Sequence, residues 1–107
     1  MLPTLEPGDW LLVDPTARTW PQRGSIVVFH EPVSDLLVVK RVAARPGEMA
    51  PWLDRPMRLG PDQAWLLGDD AARSIDSRTY GPVEQRRLVG RAWFRYGPIR
   101  RVGRLPR

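Results

Sequence analysis

Cysteine is absent from the 107-residue chain. That excludes disulfides, thiolate-ligated zinc and a cysteine nucleophile. Histidine occurs once, at His30, so a multi-histidine metal site is excluded as well. No apolar run approaches the roughly 20 residues that a helix needs to span a bilayer. The opening MLPTLEPGDW has neither the basic start nor the apolar centre of a signal peptide. Read from Met1, the chain is expected to be soluble and not exported. Lysine is nearly missing too: of the 17 basic residues, Lys40 alone is a lysine and the rest are arginine.

What is present describes a small globular protein. Hydrophobic residues make up 42% and charged residues 27%, a balance that fits one compact domain over residues 1–107 and not a disordered segment. Five tryptophans offer bulky side chains for a core. Twelve prolines and nine glycines are dispersed along the whole length, which suits short strands joined by turns better than long helices. Strands are expected at residues 10–13, 25–29, 36–44, 64–68 and 88–96. Residues 48–63 read as a Pro-rich loop with a short strand near Met57 to Leu59, and residues 83–87 as a helical turn. The fold class is therefore mainly β, with five to seven strands. Net charge is +5. Arg86, Arg87, Arg91, Arg95, Arg100, Arg101, Arg104 and Arg107 gather it toward the C-terminal end, either as a solvated basic face or as a contact surface for phosphate groups.

Two places carry chemistry. Lys40 ends the apolar run Leu36-Leu37-Val38-Val39, and alternation sets it on the face of Leu36 and Val38. Desolvation disfavours an ammonium, so a lysine in an apolar wall can lose its proton near neutral pH and serve as a general base; arginine cannot. The competing reading is an edge lysine whose head reaches water. The second place is the polar segment Gly68 to Arg78, with Asp69, Asp70, Ser74, Asp76 and Arg78. Read as extended chain, it sets Ser74, Asp76 and Arg78 on one face and lets Asp76 pair with Arg78. The plain alternative is a polar turn closed by a surface ion pair.

Taken in order, four segments resemble the boxes of the signal peptidase I family. MLPTLEPGD is similar to S-M-x-P-T-L-x-x-G-D from its methionine onward, and VVKRVAARPGE to K-R-V-x-x-x-P-G-[DE]. LLGDDAARSIDSRTYGPV resembles G-D-N-x-x-x-S-x-D-S-R-x-[FYW]-G-x-V, and LVGRAWFRYGPIR resembles the closing strand G-[KR]-A-x-x-x-[FYW]-x-P-x-R. The resemblance implies a compact β-fold and a Ser/Lys dyad that cleaves leader or signal segments after small residues. On it, Lys40 is the catalytic base, Ser74 orients the amine, and Asp76 and Arg78 form the supporting ion pair. Arg41 matches the residue that follows the lysine. The implied partner is a protein or peptide ending Ala-x-Ala before the cleaved bond, with a membrane surface as a further candidate. Nucleic acid is not expected as a partner, and no cofactor is expected.

Some positions depart from the pattern. Asp70 stands where asparagine is usual, and the insert between the lysine box and the last box is short. The family's nucleophilic serine falls directly before Met1, and its oxyanion-hole hydroxyl and membrane anchor fall further upstream. The chain beginning at Met1 is therefore expected to be inactive by itself. It is expected in the cytoplasm if that start is the true one, and otherwise at a membrane with the domain outside the cytoplasm. The alternative function is a non-catalytic basic β-domain that binds peptide or nucleic acid.

Overall fold

The computed structural model describes residues 10–16, 18–52, 55–70, 75–97 and 103–104. Their strands are β1 (Trp10–Asp14), β2 (Ile26–His30), β3 (Leu37–Ala44), β4 (Met49–Trp52), β5 (Arg55–Arg58), β6 (Gln63–Leu67), β7 (Val83–Glu84), β8 (Leu88–Gly97) and β9 (Gly103–Arg104). The helix α1 (Ser77–Tyr80) and a 3-10 turn at Gln85–Arg87 complete them. One antiparallel sheet runs in the order β1-β8-β2-β3-β6-β7, with β9 added to β8, and β4 and β5 pair as a separate hairpin.

β2 explains how the sheet is covered. It is rich in β-branched residues, and Ile26, Val27 and Phe29 are all buried. Neighbours in a strand point to opposite faces, so both faces of β2 must be shielded. On one face Val27 and Phe29 pack with Trp20, Val42, Ala64, Leu66 and Val83, flanked by Val38, Tyr80 and Leu88. On the other, Ile26 and Ala92 pack with Val28 and Val39. The indole N–H of Trp20 donates to the Asp62 carbonyl at 2.9 Å, and its ring meets Phe29 edge-on.

The mainly-β expectation holds. Its details differ from the sequence reading in three respects. The described chain holds nine strands, two of them only two residues long, because short bridges such as Val83–Glu84 carry no alternation to read. β4 and β5 pair as a hairpin where a loop was expected with only a short strand near Met57 to Leu59, which β5 overlaps. The hairpin's prolines Pro51 and Pro56 lie opposite each other, and a two-stranded ribbon leaves outward backbone positions where a missing N–H harms nothing. Trp65 and Trp20 are core residues, but Trp93 is 41% exposed.

β1 crosses β8 in close contact. A Cβ added at Gly90 would lie 2.5 Å from the carbonyl oxygen of Asp14 and 2.7 Å from Cγ1 of Val13. Only glycine lets the two backbones approach that far.

Candidate functional site

Lys40 sits in β3 directly opposite Val27 of β2. Residues paired across antiparallel strands share a face, so Lys40 shares the face of the larger core, between Val38 and Val42. Leu36 does not belong to this wall: β3 begins at Leu37, and Leu36 is exposed. Lys40 itself is half-buried. Burial pulls its ammonium below the ordinary value; the Asp76 carboxylate opposes that shift and the Arg78 guanidinium adds to it.

The β3–β6 ladder brings the second group of residues to the same place. It pairs Val42 with Leu66 and Arg41 with Leu67, so one step further Lys40 comes level with Gly68. The Gly68 N–H donates to Asp76 Oδ2 at 2.9 Å. Asp76 is fully buried and caps α1, accepting the Arg78 N–H at 3.1 Å on Oδ1. Arg78 Nε donates to Oδ1 at 2.9 Å, and Arg78 Nη2 donates to Oδ2. Burial by itself would raise the Asp76 carboxyl, yet these donors from Arg78 and Gly68 hold it below the carboxylate range. The expected Asp76–Arg78 pair thus exists. Its geometry is not that of an extended segment: Asp76 ends the extended chain, and Arg78 lies in the first turn of the helix that Asp76 caps.

α1 is anchored from its other sides. The buried Ser77 Oγ accepts the Leu66 N–H at 2.9 Å, which fastens the helix to β6. After Tyr80 the chain turns at Gly81, with φ +83°, where an added Cβ would stand 3.1 Å from the Trp52 ring. The hydroxyl of Tyr80 is buried without a hydrogen-bond partner, and burial followed by the charges of Asp76 and Glu31 pushes it well above the ordinary phenol range. Sequence reading missed Ser77 and Tyr80. The D-S-R run was a usable signal, since an aspartate before a helical turn is a preferred cap. Ser74 lies outside the described residues.

Arg41 points to the opposite face of β3. Its Nε and Nη2 donate to Oδ1 and Oδ2 of Asp69, both at 2.9 Å, and Nη1 donates to the Gly24 carbonyl at 2.7 Å. Both side chains are about four-fifths buried, at 20% and 17% exposure. The fork ties the strand that holds Lys40 to the segment that holds Asp76. Lysine cannot reproduce a two-toothed contact. Arg41→Lys is therefore expected to lower unfolding free energy by about 1–3 kcal/mol, read as a lower urea midpoint at unchanged slope.

Among the described residues no three histidine, cysteine or acidic side chains gather as a metal site. The site offers instead a half-buried amine beside a buried carboxylate that is paired with a partly exposed guanidinium. That arrangement can accept a proton from a nearby hydroxyl.

Comparison with known proteins gives consistent matches. A model of the family described as "Signal peptidase, peptidase S26" matches residues 1–52 and 48–97. A signal peptidase I of Leptolyngbya laminosa is 31% identical over 98% of this chain and 68% of its own length. A probable signal peptidase I-1 of Synechocystis sp. is 34% identical over 98% of this chain and 70% of its own. Among solved structures, a signal peptidase I from Enterococcus faecalis V583 superposes with a TM-score of 0.60 at 22% identity. That match covers 70% of this chain and 98% of the other, a likeness of fold.

Proposed function

The chain belongs to the signal peptidase, peptidase S26 family, and from that membership we propose that residues 1–107 form the single catalytic core of a serine endopeptidase whose general base is Lys40. The observation that carries the assignment is the position of Lys40: half-buried on the core face, its ammonium depressed by burial, level with the segment tied to Asp76. The nucleophile is the serine that the family pattern puts directly before Met1. As its oxygen attacks the carbonyl carbon of the peptide, Lys40 takes the hydroxyl proton. The departing amine then receives that proton; water attacks the acyl-enzyme as Lys40 accepts its proton, and Lys40 passes that proton to the serine oxygen as the ester bond breaks. Asp76 and Arg78 position the lysine, and Ser74 orients its amine. The substrate is an extended leader segment with small residues before the cleaved bond.

The test compares two proteins, one carrying serine directly before Met1 and one starting at Met1, on peptides containing Ala-x-Ala. The serine form is expected to cleave after the second alanine, as read by mass spectrometry, and the shorter form to leave the peptide intact. Equal cleavage by both would sink the dyad. Absence of cleavage in both, with peptide or nucleic acid bound in a salt-sensitive way, would favour the non-catalytic domain.

A further inference from the structure

Two arginine–aspartate forks flank Lys40, and they are built differently. Arg41 and Asp69 are 20% and 17% exposed. All three guanidinium nitrogens of Arg41 donate within the protein, two of them to Asp69 and Nη1 to the Gly24 carbonyl. That pair is closed. Arg78 donates to Asp76 through Nε and Nη2, and no described residue accepts from its Nη1. Asp76 is fully buried, whereas the Arg78 side chain is 40% exposed. That pair is open, with its positive end toward water.

The open end is held in a fixed direction. A guanidinium is planar, so a fork fastened on one edge decides where the other edge points. Asp76 accepts the backbone N–H of Arg78 as well as the two guanidinium nitrogens, and Nη1 is therefore in place before anything binds. Among the described residues, Asp76 is the acid whose charge acts on Arg78. Asp69 is held by Arg41 on the opposite face of β3.

This edge stands where a substrate must pass. The Gly68 N–H that Asp76 accepts comes level with Lys40 across β3 and β6, so the open pair lies beside the amine. A peptide whose scissile carbonyl reaches Lys40 carries the neighbouring residues past Arg78, since an extended chain covers about 10 Å in three residues. The two N–H groups of Nη1 suit a carboxylate better than any neutral acceptor.

We propose that Arg78 sets a charge preference in the substrate: its Nη1 edge takes the carboxylate of a glutamate or aspartate within about three residues of the cleaved bond, and lysine or arginine there is repelled. This preference rests on the reading of Lys40 as a peptidase base, and it goes beyond the part of Arg78 in positioning that lysine.

Fluorescence anisotropy on the chain starting at Met1 measures binding without cleavage. The labelled Ala-x-Ala peptides differ only in glutamate, glutamine or lysine at one position, moved stepwise to either side of the bond. At one such position the glutamate peptide is expected to bind roughly fivefold more tightly than the glutamine peptide at low salt, and the lysine peptide more weakly than both. These differences should shrink as salt rises. Arg78→Gln, checked for folding by circular dichroism, is expected to bind the glutamate and glutamine peptides equally. Arg86→Gln, a change at an exposed guanidinium elsewhere, should keep the preference. Equal or absent binding of the two peptides by the unmutated chain, or a preference that survives Arg78→Gln, overturns the proposal. Loss of the preference in both variants also overturns it, in favour of the net charge of +5. Where Arg78→Gln does not fold, NMR of the unmutated chain decides. The Arg78 Nε–H signal is expected to move with the glutamate peptide and not with the glutamine peptide; a signal that answers both alike, or neither, overturns the proposal. Cleavage by the serine-bearing form is scored separately, so a failed peptidase reading and a failed charge preference are told apart.

Discussion

In the form that carries serine before Met1, Lys40→Met is expected to abolish peptide cleavage, by a factor on the order of 10⁴–10⁶. Lys40→Arg should be no better, because a guanidinium keeps its proton. The activity of the unmutated form should rise with pH, since the neutral amine is the working state, and the midpoint of that rise should fall below the 10.5 of a free lysine. Stability supplies a second readout. Burial pulls the folded value of Lys40 below the unfolded one, so between the two values the unfolded chain binds more protons, and stability rises with pH across that interval. Below it, a charged amine sits against the core in the folded protein. Removing it with methionine is expected to raise Tm near neutral pH by about 4 °C. A variant both inactive and more stable would mark Lys40 as kept for chemistry. Full cleavage by Lys40→Met would refute its role as base.

The largest loss of stability is expected at Asp76. Asp76→Ala leaves the Gly68 N–H, the Arg78 N–H and the Arg78 guanidinium without their acceptor at a fully buried position. Arg78 is 40% exposed and water can meet its guanidinium, so the loss comes chiefly from the two backbone N–H groups, about 2–3 kcal/mol together, with the helix cap lost in the same step. Urea unfolding measures it. The acid dependence follows from the same contacts. The folded Asp76 value lies below the 3.8 of an ordinary aspartate, so its contribution is present above the unfolded value and is lost as pH falls through the folded one. Asp76→Asn should flatten that acid limb. It should also move the rise of activity with pH to lower values, because the Asp76 charge is what holds the Lys40 ammonium up. An unmoved profile would separate Asp76 from the lysine and leave it a purely structural cap.

These residues were legible in the sequence to different degrees. Lys40 stood out because a solitary lysine follows four apolar residues, and the strand that holds it was readable from its β-branched run. The Asp76–Arg78 pair was legible as a pair but not as a cap: a helix of four residues has no periodicity to detect. Arg41 gave no sign of its partner, since Asp69 lies 28 residues away and the contact depends on the β3–β6 register. The β4–β5 hairpin was hidden by its own prolines, which argue against a strand wherever both edges must be paired. Leu36 was read from sequence as part of the apolar run that ends at Lys40. Burial alone shows that the run divides at Leu37 into an outward part and a wall for Lys40.

Gly90 has a consequence for everything that precedes Trp10. The pairing of β1 with β8 slips at two points, between Trp10 and Leu11 and between Leu12 and Val13, so the ladder by itself tolerates more than one offset. The notch over Gly90 narrows that choice, because the Asp14 carbonyl and the Val13 side chain fill the space that a methyl would take there. It acts as a gauge mark, fixing which residue of β1 lies at which point of β8. Each residue of error there would displace the upstream chain by about 3.3 Å. The missing methyl group on one strand thus sets the origin from which the reach of the N-terminal segment is measured.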